Sequence, residues 1–258
     1  MWERVKEVYA YREMLLNLVA KELRAKYKGS VLGFLWTFFN PLLMLTVYSI
    51  VFSFIMRSNI QNYAVFLFVT LLPWNYLANS VLQGSGSLVH NAALIKKVYF
   101  PREVLPLSVV LANLVNYVLS LLILIPALLI SGVRLTAAVL AFPVVLGLET
   151  LLAIGMAFLV GVGNVYFRDL QHITEVFVTM WFFLTPVLYS SEMVPPNLRG
   201  LFALNPAVPL IEAYREVFFY GRWPNWERLG YLALACVVFL FVSVRVFDRL
   251  QRAVAEEI

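Results

Sequence analysis

The sequence predicts an all-α integral membrane protein. It has six transmembrane helices, an N-terminal amphipathic interface helix, and short re-entrant helices on the external side before the last span. Three observations carry this prediction. The first is composition: 62% of the 258 residues are hydrophobic, 14% are charged, and the mean hydropathy is +0.81. Soluble domains hold about 45–50% apolar and about 25% charged residues. The second is segmentation, because a helical span needs about 20 apolar residues and the chain offers six such runs with short connections. The third is charge placement. Seven of the 20 Lys and Arg residues lie in positions 1–30, and Lys96, Lys97 and Arg102 lie in the 84–103 stretch. Arg168 and then Arg245, Arg249 and Arg252 complete that side, and only six basic residues lie elsewhere. The positive-inside rule makes those regions and both termini cytoplasmic, as an even number of spans requires. The net charge of +5 follows from this asymmetry, and no nucleic-acid partner is expected.

The elements follow in order. Residues 1–30 form a cytoplasmic N-terminus in which Leu15, Leu18, Val19, Leu23 and Tyr27 recur at helical spacing beside a basic face. That pattern lies in a membrane interface, as an anchor or as a docking helix. Residues 31–258 form the six-span domain. Span one covers 31–56, with Pro41 expected to bend it, and span two covers 63–83. Gly84-Ser85-Gly86-Ser87 then lead into a short basic helix that stops at Phe100, because Pro101 disfavours helix in the residue before it. His90, Asn91, Lys96, Lys97, Arg102 and Glu103 make this piece polar and position it for contact with something soluble. Span three covers 104–130 and span four 136–162. In span four Ala153, Ala157 and Gly161, four apart, predict close packing on another helix. Span five covers 173–189 and span six 229–246. Between them, residues 190–227 are too mixed to span and too apolar for a free loop, which predicts two short re-entrant or interfacial helices.

Much chemistry is excluded. The chain has no Gly-x-x-x-x-Gly-Lys-Ser/Thr phosphate loop. His90 and His172 lack a second ligand at metal spacing, so no metal site is expected. Asp169 and His172 share a loop without a nucleophile. The single Cys236 lies in an apolar run, which rules out a disulfide framework. No signal peptide pattern opens the chain. Glu149 is the one acid well inside a span, open to a functional or a structural role. No inverted repeat is visible to support secondary transport.

Three stretches then become specific: 21–41 (Lys-Glu-Leu-Arg-Ala-Lys-Tyr-Lys-Gly-Ser through Asn40-Pro41), 91–106 (Asn-Ala-Ala-Leu-Ile-Lys-Lys-Val-Tyr-Phe-Pro-Arg-Glu through Pro106), and 205–215 (Asn-Pro-Ala-Val-Pro-Leu-Ile-Glu-Ala-Tyr-Arg). Together they resemble the permease subunits of ABC exporters for polysaccharides of the O-antigen, teichoic acid and capsule type. The resemblance covers nearly the whole chain. It implies a membrane-spanning subunit of an ATP-driven exporter of lipid-linked polysaccharide in the bacterial inner membrane. The subunit is no enzyme and holds no cofactor, and Mg-ATP belongs to a partner. The implied assembly is a homodimer with two copies of an ABC ATPase, acting on a polyprenyl-diphosphate-linked glycan. Residues 84–103 become the coupling segment and 190–227 an external gate.

On that reading His90, Asn91, Lys96, Lys97, Tyr99 and Phe100 contact the ATPase, flanked by Arg24 and Lys28. Trp36, Tyr48, Phe177, Trp181 and Tyr189, with Asn40, offer aromatic faces to a sliding glycan, or else pack or form an interfacial belt. Arg24, Lys26, Lys28 and Arg102 accept the lipid diphosphate, or simply attract anionic lipid. A permease for teichoic acid, drugs or small lipids is the nearest alternative. A membrane scaffold without transport, and an enzyme acting on polyprenyl carriers, stand further off.

Overall fold

The computed structural model describes residues 2–25, 29–51, 62–251, 253 and 254. Among these residues every regular element is helical. The chain opens with α1 (Trp2–Ala10) and α2 (Arg12–Ala25), followed by α3 (Trp36–Ile50) and α4 (Tyr63–Gly86). A 3₁₀ turn at Val89–Asn91 runs into α5 (Ala92–Lys97), and α6 (Val104–Ile130) follows. A 3₁₀ turn at Ala137–Ala141 leads into α7 (Phe142–Tyr166), then α8 (Leu170–Phe183), α9 (Arg199–Ala203), α10 (Ala207–Phe218) and α11 (Trp226–Leu250).

Four of these helices are long and apolar enough to cross a membrane: α4, α6, α7 with its preceding turn, and α11. The shortest has 24 residues, and at 1.5 Å per residue that covers about 36 Å, more than the roughly 30 Å of hydrocarbon in a bilayer. α3 is a shorter apolar helix. The last five residues of the first expected span, 52–56, lie outside the described residues. α8 has only 14 residues and stops at Phe183 rather than Tyr189. Pro186 disfavours helix at Thr185, and residues 184–187 form turns.

α4 is the hub. Residues on all its faces are buried, including Phe66, Leu67, Phe68 and Val81, as expected of a helix that is apolar all round. It packs against α3, α6, α7, α8 and α10. The crossing with α7 is closest. A Cβ on Gly84 would lie 2.7 Å from that of Ala157, and one on Gly161 would lie 2.9 Å from the Gly84 carbonyl oxygen. This contact explains why α4 continues through Gly84 to Gly86, where the sequence suggested a polar lead-in. It also places the small-residue row of α7 against a neighbouring backbone, as small residues in membrane helices allow.

The outer helices leave apolar faces uncovered: Leu234, Val237 and Val238 on α11, Ile173, Val176 and Met180 on α8, and Leu43 and Val47 on α3. In water these faces would be a liability; in lipid they are ordinary. The bundle has two distinct ends. At one, Leu18, Leu88, Ile95, Phe100, Val104, Phe158, Val165, Phe247 and Val254 form a compact apolar cluster. At the other, Asn62 donates to the Ser131 carbonyl at 2.8 Å and Thr136 to the Gly221 carbonyl at 2.7 Å, closing the turns between helices.

Candidate functional site: a surface platform, a polar cleft and a clamped cap

The platform is built at the apolar-cluster end. Phe100, 5% exposed, plugs into the cluster, whereas the adjacent Tyr99 is 88% exposed. Extended backbone at 98–100 explains the split, because alternate residues of an extended chain point in opposite directions. Lys96 and Lys97 are exposed on α5 and Ile95 is buried beneath them. The Asn91 side chain donates to the Ser87 carbonyl at 2.9 Å and accepts from Lys21 of α2 at 2.7 Å. His90 lies exposed over Gly86, whose missing side chain makes the room. Arg24 is exposed on α2, which packs on α6. Lys26 and Lys28 lie outside the described residues.

Braces from α11 hold the platform to the bundle. Arg102 donates to the Gln251 backbone carbonyl, so its guanidinium is engaged at the end of α11. Gln251 donates to Glu103 and to Asp248, both at 3.0 Å. Tyr166 donates to the Leu250 carbonyl at 2.5 Å. The start of α6 and the ends of α7 and α11 are therefore one connected unit.

The five expected pathway aromatics do not converge on one surface. Trp36 donates to Ser30 Oγ at 2.9 Å and lines a cleft among α3, α4 and α6. Tyr48 is half-buried and packs on the main core. Trp181 is buried edge-on against Trp74 and donates to Asn205 Oδ1 at 2.7 Å. Phe177 lies on Trp181 with its other face exposed. Tyr189 donates to the Phe183 carbonyl at 2.9 Å, bracing the turn after α8.

The cleft itself was not foreseen. It measures about 180 Å³ and gathers Asn40 from α3, Asn75 and Asn79 from α4, and Asn113, Asn116 and Ser120 from α6, beside Trp36, Tyr76 and Tyr117. A signal for it was present in the sequence. Asn75 and Asn79 are four apart, and Asn113, Asn116 and Ser120 fall at three- and seven-residue intervals in otherwise apolar runs.

At the far end α10 forms a cap. It is too short to span, and most of its residues are buried against α4, α7 and α11. Arg215 donates to the carbonyls of Pro186 at 2.9 Å, Val187 at 3.3 Å and Tyr189 at 3.3 Å, and its guanidinium sits 4.0 Å from the Phe66 ring centre. Burial pushes this guanidinium down to about 10, which leaves it charged at neutral pH. It holds the turn after α8. The neighbouring Tyr214 donates to Glu149 Oε2 at 2.5 Å, and both side chains are buried. Glu149 is therefore tied to the cap, and no Lys or Arg pairs with it among the described residues.

An apolar helical bundle with four helices long enough to cross a bilayer is the form of an integral membrane protein. The ABC-2 type transporter family model matches residues 14–219, and the chain belongs to that family. It is 43% identical over 260 residues to the O-antigen export system permease protein RfbA of Myxococcus xanthus, covering 98% of each chain. It is 31% identical over 245 residues to the protein of the same name from Klebsiella pneumoniae, covering 95% of this chain and 94% of that one. The polysialic acid transport protein KpsM of Escherichia coli is 23% identical over 247 residues, covering 92% of this chain and 93% of that one.

Proposed function

We propose that this chain is the membrane channel subunit of an ATP-driven exporter that moves lipid-linked polysaccharide of the O-antigen kind across a bacterial inner membrane. Full-length likeness to proteins named as O-antigen export permeases supports the cargo class. Six spans would then comprise α3, α4, α6, α7, α8 and α11. Both termini face the cytoplasm, and α9 and α10 dip into the outer leaflet as a re-entrant gate. Two copies associate, and each engages one ABC ATPase subunit that binds Mg-ATP.

The observation that carries this mechanism is the division of labour at 99–100. Tyr99 stands out from the surface and Phe100 is seated among Leu18, Ile95, Val104 and Phe247. A force applied to the exposed part reaches α2, α6 and α11 through the buried part, without a flexible joint between. His90, Asn91, Lys96 and Lys97 complete the contact, flanked by Arg24 and Lys28. The basic residues Arg24, Lys26, Lys28 and Arg102 receive the lipid diphosphate, Arg102 being engaged at the end of α11.

The test is expression with its ATPase partner in a strain lacking its own O-antigen permease. Surface display of the glycan should require both proteins and a hydrolysing ATPase. Display that is independent of this chain, or none with both proteins stably made, would remove the reading.

A further inference from the structure

We propose that the asparagine-lined cleft among α3, α4 and α6 is a contact site for neutral sugar units, and that it selects against acidic ones. The inference rests on the export reading above and adds to it the chemistry of the cargo. Asn40, Asn75, Asn79, Asn113 and Asn116 bring five carboxamides into one cleft among three apolar helices. Amides placed in a membrane are costly unless they line a polar space or find partners. Here the partnering is partial. Asn79 donates to the Asn75 carbonyl at 2.7 Å, Asn113 to the Val109 carbonyl at 3.1 Å, and Asn116 to the Ala112 carbonyl at 3.1 Å, each one turn back on its own helix. Asn113 also donates to Gln83 Oε1 at 3.1 Å.

A carboxamide has two donors and one acceptor, so these bonds leave capacity unused. Asn116 Oδ1 is buried without a partner, and neither Asn40 nor Asn75 makes a side-chain hydrogen bond among the described residues. Such amides match sugar hydroxyls, which both donate and accept. Trp36, half-buried at the cleft, supplies flat apolar surface for a ring face, over a floor made by Tyr76 and Tyr117, which are buried and stacked on each other with ring centres 5.7 Å apart.

Among the described residues, those lining the cleft include no Lys, Arg, Asp, Glu or His. A carboxylate-bearing sugar entering it would lose the hydration of its charge with no cation to compensate, whereas a neutral sugar would exchange water for hydrogen bonds to the amides. The lipid diphosphate is excluded by the same argument. At about 180 Å³ the cleft is smaller than the roughly 300–1,000 Å³ of a typical small-molecule pocket, so it holds a short length of chain in transit.

The test uses the full-length chain in nanodiscs, titrated with a neutral galactose–mannose oligosaccharide and with a sialic acid oligomer of the same length. The readout is saturation-transfer NMR, and surface glycan display is scored in parallel. The neutral oligosaccharide should bind and the acidic one should not. The Asn75→Ala/Asn79→Ala variant should weaken neutral binding by about tenfold, the loss of one or two hydrogen bonds. Asn40→Ala, at an exposed position, serves as a second variant with a smaller loss in the same direction. Equal binding by wild type and variants, or equal binding of the acidic oligomer, would overturn the inference. So would absent neutral binding by a chain that still supports display. Display failing in wild type would instead strike the export reading, whatever the binding result.

Discussion

The two ends of the bundle are held together differently. At the platform end an apolar cluster carries the packing, braced by Gln251 on Glu103 and by Arg102 on the Gln251 carbonyl, with an exposed contact from Lys21 to Asn91 above it. At the cap end the polar contacts are themselves buried: Arg215 on three carbonyls, and Tyr214 on Glu149. An apolar plug moves as a body and tolerates loss of a surface contact. A buried polar clamp is two-state, because a half-made set of hydrogen bonds is worse than either a complete set or none. The difference suits one end to receive a push and the other to hold closed until it releases.

The comparison can be broken by substitution. Phe100→Ala should have the largest effect. It removes an aromatic side chain from the middle of the cluster, at about 3–5 kcal/mol, and should appear as loss of folded protein on thermal unfolding in detergent. Arg215→Met should follow. It leaves the Pro186 and Tyr189 carbonyls without this donor, at about 1–3 kcal/mol. It should also raise protease cleavage in the 184–206 segment while the platform end stays protected. Lys21→Met should be smallest, since an exposed contact of this kind contributes on the order of 1 kcal/mol or less. Its thermal midpoint should match wild type within error. A Lys21 effect larger than that of Arg215 would reverse the assignment of rigid and yielding ends.

Much of this architecture could be read from the chain. Long apolar runs announced α4, α6, α7 and α11, because a membrane core demands length and apolarity within one segment. The amphipathic α2 and the short α5 before Pro101 were local patterns too, although α5 ends at Lys97 and not at Phe100, with Val98 already extended. What escaped was set by contacts between segments. Gly84 belongs to a helix because Ala157 packs on it. Trp181 faces inward because Asn205 accepts its indole N–H, although its place beside Phe177 suited a pathway as well. The cleft was missed because its asparagines come from three helices, each contributing one or two. Glu149 looked solitary for the same reason: its donor, Tyr214, is 65 residues away.

The central claim is that the exposed face of residues 90–100 receives the motion that ATP hydrolysis generates. The most direct measurement reconstitutes the full chain with its ATPase partner and records hydrolysis and glycan transport together, for wild type and Tyr99→Ala. Tyr99 is so exposed that its truncation should leave folding intact. Transport should fall at least about tenfold, equivalent to about 1.4 kcal/mol of lost coupling, while ATP is still hydrolysed. Transport per ATP equal to wild type would contradict the account.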